Sequence, residues 1–285
     1  MATNDFSRFY GRLEIRGLIE LETPLRIGAG RGDDMGLADI SVIKDVLGRP
    51  FIPGSSFKGV LRSQIEMILR TIDEQLACLC VTDEKNHTCP TTKSRRRQEG
   101  QELSDYDDLL QNTYAGDEEK MYLEGTCRVC QVFGSHGLAS KVIIPDLGLS
   151  ESEFGEDGTW HGRYQIRHGV SIDRDTETAA EGRLYTGEAV PSGSRFDCEI
   201  IIENGSVADQ GLVLLGLRAF EQGRVTLGGA ASRGLGQVRL TITGCQEVSP
   251  EPATLIDYLV SGQGSPVDEA GRLDKITSLR EELGV

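Results

Sequence analysis

Residues 12–22 read RLEIRGLIELE and residues 53–72 read PGSSFKGVLRSQIEMILRTI, and together they decide the fold class. In the first stretch Leu13, Ile15, Ile19 and Leu21 face one way, while Arg12, Glu14, Arg16, Glu20 and Glu22 mostly face the other. That period of two predicts a strand with one buried face. In the second stretch Phe57, Val60, Leu61, Ile65, Ile68, Leu69 and Ile72 recur at three-and-four spacing, with Lys58, Arg62 and Glu66 off the stripe. That is an amphipathic helix, entered through Pro53 and with Ser55 or Ser56 placed to cap it.

Further along the chain, Phe196, Cys198, Ile200 and Ile202 alternate with acidic residues as another strand, residues 209–222 form a second apolar helix, and Val238, Leu240 and Ile242 mark a last strand. Strand, helix, strands, strand, helix, strand predicts an α+β fold built on a ferredoxin-like antiparallel sheet with large insertions. One insertion, 78–130, is polar and cysteine-bearing, and its centre TTKSRRRQEGQE has no periodicity. The segment from 247 to 285 reads as an acidic tail ending in a short helix, RLDKITSLREEL.

The chain has 285 residues and a formal net charge of −15. Such a charge excludes a nonspecific nucleic-acid binder with a basic footprint but leaves room for a local basic track. No apolar run is long enough for a transmembrane helix, and MATNDFSRFYGR has no secretory pattern, so a cytoplasmic protein without membrane contact is expected. In that compartment clustered thiols favour metal over disulfides. Cys127 and Cys130 form a C-x-x-C knuckle suited to two ligands of one structural zinc. Cys80 and Cys89 are the favoured second pair, with Cys78 and His87 in reserve, while Cys198 and Cys245 read as small buried residues. GAGRGDDMG at 28–36 completes neither a dinucleotide fingerprint nor a phosphate loop. The histidines form no legible triad with a serine or cysteine.

Four collinear segments carry more. LETPLRIGAG at 21–30 with LADISVIKDVLGRPFIPGSSFKGVLR at 37–62, CRVCQVFGS at 127–135, RHGVSIDRDTETAAEGRLYTGEAVPSGSRF at 167–196 and LGGAASRGLGQVRL at 227–240 resemble the RAMP family, the repeat-associated proteins that form the backbone of type III CRISPR effector complexes. The resemblance implies an RRM-like domain over 1–246 with a thumb hairpin at 165–192, stacked along a guide RNA. The partners it implies are guide RNA, target RNA, neighbouring RAMP subunits and the large polymerase-like subunit. Within the matched segments Gly28 and Gly30 let main-chain amides approach phosphate, and Ser55 and Ser56 open a helix N-terminus with Lys58 and Arg62 one turn in. Arg26, Arg174, Ser232 and Arg233 complete the expected RNA-binding set, with His168 touching RNA at the thumb base and Leu184 and Tyr185 wedging against bases.

The same resemblance places Asp39 where active members carry the residue that cuts target RNA. A carboxylate there serves as general base for the RNA 2′-hydroxyl or holds Mg²⁺ or another divalent cation, with Asp33 and Asp34 in the same loop. The expected activity is metal-dependent endoribonuclease action on paired target RNA. A catalytically silent subunit of the same complex and a guide-precursor processing nuclease are the alternatives.

Overall fold

The computed structural model describes residues 6–28, 41–79, 89, 115–117, 120, 125–135, 138–160, 162–172, 175 and 177–285. Its strands are β1 (Arg12–Leu21), β2 (Val142–Ile143), β3 (Gln165–Ile172), β4 (Ala179–Ala189), β5 (Arg195–Glu203), β6 (Val225–Thr226), β7 (Gln237–Val248) and β8 (Ser265–Pro266). The helices are α1 (Gly54–Ile72), α2 (Arg128–Phe133), α3 (Val207–Glu221), α4 (Pro252–Ser261) and α5 (Glu269–Leu283).

The main sheet runs β2-β5-β1-β7-β6, with β8 added beside β7. β1 pairs antiparallel with both β5 and β7, and β2 pairs antiparallel with β5. It follows that β1 and β2 are parallel with β5 between them, and that β5 and β7 are parallel with β1 between them. Those are two interlocked split βαβ units, crossed by α1 and α3, which is the ferredoxin-like arrangement that the order of elements predicts.

Leu13, Ile15, Ile19 and Leu21 are all buried beneath the helices, as the alternation demands. Above them the rings of Phe57 on α1 and Phe220 on α3 meet at 4.7 Å between centroids. Fully burying a Phe or Leu side chain contributes about 1.5–3 kcal/mol, so this apolar layer carries the fold. The opposite face of the sheet is polar. Arg16 meets Glu199, Arg195 meets Glu20 and Arg12 meets Glu203 at 2.9–3.3 Å.

Two expectations change. The first turn of α1 is not capped by Ser55 or Ser56; Pro53 occupies the cap position without a side-chain bond, and the Asp146 carboxylate accepts from the Gly54 N–H at 2.8 Å. A Cβ on Gly54 would lie 2.0 Å from the Ile144 carbonyl oxygen, so the close approach of this distant segment requires the glycine. The segment after 246 is also no loose tail. β7 runs on to Val248, Leu279 of α5 is fully buried, and Lys275 meets both Glu247 oxygens at 3.1 Å. Tyr258 of α4 reaches over the polar face to Glu14, which is 3% exposed although its position in the alternation points to solvent. No helix among the described residues is long and apolar enough to cross a membrane.

Candidate nucleic-acid interface and metal centre

The hairpin β3–β4 stands as its own two-stranded sheet, joined to the body where Leu25 pairs with Val190. Its register pairs Arg167 with Gly187, His168 with Thr186 and Ile166 with Glu188. Side chains opposite one another in a ladder share a face and successive residues alternate, so Arg167 and Gly187 face one way and His168, Thr186 and Glu188 face the other.

Arg26 lies on the Arg167 face. A Cβ on Gly187 would sit 3.3 Å from Arg26 Nη1, so the glycine makes room for the guanidinium. Arg26 is held by its backbone, whose carbonyl accepts from the Gly229 N–H at 2.9 Å. A cleft of about 170 Å³ runs here, lined among others by Arg26, Arg167, His168, Gly187, Glu188 and Arg233. Ser232 and Arg233 occupy the exposed turn Ala231–Arg233 at its edge. Arg26 and Arg167 form no ion pair with the described residues, and Glu188 is engaged by Lys44 at 2.8 Å. The cleft is therefore a local excess of guanidinium charge on an acidic protein, suited to phosphate.

The structure thus brings Arg26 and Arg233 to one cleft, with Ser232 next to Arg233 in the turn, and adds Arg167, which the sequence showed only as one basic residue in a basic stretch. Gly28 pairs with Val42, whose N–H donates to Glu188 at 3.2 Å. Asp39, Asp33, Asp34, Gly30, Arg174, Cys80 and His87 lie outside the described residues. Leu184 and Tyr185 lie on β4, opposite Val170 and Gly169.

The start of α1 answers differently from expectation. With Asp146 on the Gly54 N–H, the positive helix end already faces a carboxylate, which competes with phosphate. Lys58 donates to the Ser140 hydroxyl at 2.7 Å and the Val142 carbonyl at 2.9 Å. Burial, and next the Arg62 charge, push its pKa down. Arg62 donates to Glu66 at 2.8 Å, the Gly134 carbonyl at 3.1 Å and Cys130 Sγ at 3.0 Å. Both side chains tie α1 to the segment around 130–142 and are engaged inside the fold. Nor is the polar sheet face a stacking platform, because β1, β5 and β7 put no aromatic ring on it.

Four thiols converge at the edge of this segment. The sulfurs of Cys78, Cys89, Cys127 and Cys130 all lie within 4.8 Å of one another, with Cys78 and Cys130 at 3.5 Å. A tetrahedral zinc with bonds of about 2.3 Å sets its sulfurs about 3.8 Å apart, so the quartet fits that ion. Cys78, held in reserve by the spacing argument, is the fourth sulfur of the quartet among the described residues; Cys80, favoured by that argument, lies outside them. The Cys78 N–H donates to Cys127 Sγ at 3.3 Å and the Cys127 N–H to Cys89 Sγ at 3.1 Å, which turns the peptide dipoles toward the sulfurs. Contacts from Cys130, then Cys78 and Cys89, hold the Cys127 thiol far below its ordinary pKa. Thiolates are the metal-binding form.

Behind the thiols lies a buried polar knot. Asp209, 0% exposed, caps α3 with Ser206 and pairs with Arg128 of α2 and with Lys141 at 2.9 Å. Arg128 also meets Glu282 of α5 at 2.7 Å. A capping box over Ser206–Asp209 is legible in sequence, but the two cations that meet it are not.

The RAMP superfamily model matches residues 18–239 of the chain. The chain is 27% identical over 241 residues to the CRISPR system Cms endoribonuclease Csm3 of Methanocaldococcus jannaschii, covering 80% of this chain and 78% of that protein. It is 26% identical over 255 residues to the like-named protein of Methanothermobacter thermautotrophicus, covering 81% and 84%. For that of Streptococcus thermophilus the figures are 25% over 240 residues, covering 80% and 87%.

Proposed function

The chain belongs to the RAMP superfamily, and on that premise we propose that it is a guide-RNA-binding backbone subunit of a type III CRISPR effector that cuts paired target RNA. The observation that carries this reading is the guanidinium-lined cleft at the base of the β3–β4 hairpin, inside the matched region. Arg26, Arg167 and Arg233 hold phosphates of the guide without reading its bases, so guide–target pairing supplies sequence choice. The hairpin is the thumb that parts guide from target, with Leu184 and Tyr185 on its second strand. Neighbouring RAMP subunits and the large polymerase-like subunit are the partners of this assembly.

Asp39 carries the cutting in this reading, as base for the 2′-hydroxyl or as ligand of Mg²⁺ or a similar cation, which neutralises the developing phosphorane charge. Cys78, Cys89, Cys127 and Cys130 hold one structural zinc, the chemistry of the donor set being that of a closed four-thiolate site.

The test is a cleavage ladder on labelled target RNA with reconstituted complex. Asp39→Ala removes cutting while assembly and guide binding persist, because binding is spread over many contacts and removal of a positioned base costs about 100- to 10,000-fold. An unchanged ladder makes this chain a silent scaffold. Cutting of guide precursor by the isolated chain without metal makes it a processing nuclease. Arg26→Glu with Arg167→Glu weakens guide binding for all sequences and flattens its salt dependence.

A further inference from the structure

Lys58, Arg62, Glu66 and Arg70 follow one another at four-residue spacing along α1, so they share one face beside the buried stripe of Phe57, Leu61, Ile65 and Leu69. That face meets the thiol quartet. Arg62 Nη2 donates to Cys130 Sγ at 3.0 Å, and Arg70 Nη1 donates to the Cys78 carbonyl at 2.9 Å. The Arg62 guanidinium is held from two further sides, its Nε donating to Glu66 at 2.8 Å and its Nη1 to the Gly134 carbonyl at 3.1 Å. Gly134 closes the short helix α2 on which Cys130 sits. One planar group thus grips both the thiol and the residue that ends its helix, with Glu66 fixing its orientation. Cys130 is 1% exposed. A sulfur binds metal as thiolate, and a buried charge is tolerated when it is paired and hydrogen-bonded. Cys127 and Cys89 accept from the peptide N–H groups of Cys78 and Cys127, whereas Cys130 accepts from a full cation.

We propose that Arg62 is a positioning residue of the zinc centre: it holds the Cys130 sulfur in place for the metal and draws charge from it. The inference rests on the zinc reading above and deepens it, and it takes Arg62 out of the RNA-binding set. A zinc ion bound by four thiolates carries net negative charge, on a chain already at −15. A guanidinium in contact with one of the sulfurs offsets part of that charge. It also fixes the direction of the ligand, which is what groups that hydrogen-bond to metal ligands contribute to affinity. Glu66 takes Nε and leaves both Nη groups to Gly134 and Cys130. Because Phe57, Leu61, Ile65 and Leu69 of the same helix fill the core, the metal centre is braced on the element that the apolar layer holds most firmly.

The test measures metal on the full chain, Zn²⁺ by competition with a chromophoric chelator and Co²⁺ by its sulfur-to-metal charge-transfer band. Arg62→Met is expected to bind Zn²⁺ about 10- to 100-fold more weakly. It is also expected to move the Co²⁺ band to lower energy, because a thiolate without its cationic donor gives up electron density more readily. Arg62→Lys, which keeps a cationic donor, recovers part of both changes. Arg62→Gln removes the charge with less loss of polar contact and repeats the measurement should Arg62→Met not fold. Lys58→Met is the control: Lys58 donates to Ser140 and the Val142 carbonyl, so its loss loosens the same helix face and leaves the band unmoved. An unmoved band or an undiminished Zn²⁺ affinity in the neutral Arg62 variants overturns the inference. So does an equal band shift in Lys58→Met, or no recovery in Arg62→Lys. Guide-RNA affinity lost with metal binding intact overturns it too and returns Arg62 to the RNA-binding set. If the unaltered chain binds neither metal through these thiols, the zinc reading itself falls and the inference with it.

Discussion

The helix-covered face of the sheet and the stretches 125–135 and 138–142 are both held tightly, but by opposite means. Under α1 and α3 the side chains are Leu13, Ile15, Ile19, Phe57, Leu61 and Phe220, all at most 1% exposed. The second region is anchored by four thiols, by Lys58 and Arg62 reaching across from α1, and by Asp209 between Arg128 and Lys141. The first excludes water and needs no partner geometry. The second holds polar groups away from water, and each is tolerated only while its partner stays in place.

This contrast is easiest to break at the thiols. Cys127→Ser is expected to abolish binding of the zinc proposed for these thiols, a site of this kind contributing about 10–16 kcal/mol of apparent binding free energy. Elemental analysis of the purified chain checks it, and metal-free protein with all four thiols titrating freely counts against the site. Next in size is Asp209→Ala, which strands Lys141, itself 1% exposed, and is expected to cost about 3–5 kcal/mol in urea unfolding.

Acid should distinguish the two regions without mutation. Burial raises the pKa of Asp209, but Arg128 and Lys141 outweigh it and hold the group below its ordinary 3.8. Glu14 is likewise held below 4.5, its burial outweighed by bonds from Tyr258 and Gln246 and by Arg12 and Arg16. With folded values depressed, the unfolded chain binds more protons below those ordinary values. Stability from both groups is complete above about pH 4.5 and is lost as pH falls through the folded values. Asp209→Asn should flatten that acid limb, which denaturation curves between pH 3 and 6 would show.

Smaller effects sharpen the comparison. Lys58→Met is expected to cost about 1–3 kcal/mol by removing a donor to Ser140 and the Val142 carbonyl. Ile15→Val, a single methylene in the apolar layer, is expected to cost about 0.5–1.5 kcal/mol in the same measurement. If Lys58→Met instead leaves stability intact and lowers guide affinity, α1 faces RNA as the sequence suggested.

The sequence by itself determined the sheet, its two covering helices and the side chains between them. An alternating or three-and-four apolar pattern leaves one way to hide itself from water. It also determined that a C-x-x-C knuckle seeks two more thiols, and that Arg26 and Arg233 belong to one family of motifs. Tertiary structure alone decided which charges remain available to a ligand. Lys58 and Arg62 look like phosphate ligands by position, yet Ser140, Val142, Gly134 and Cys130, all 68–84 residues away, engage them. Cys78 joins Cys89, Cys127 and Cys130 among the described residues, and Asp146 caps a helix whose own serines do not. Tyr258 buries Glu14 from what reads as a tail. Apolar burial depends on a residue's own period and so can be read locally. The state of a polar group depends on which distant partner reaches it, and chain folding alone supplies that partner.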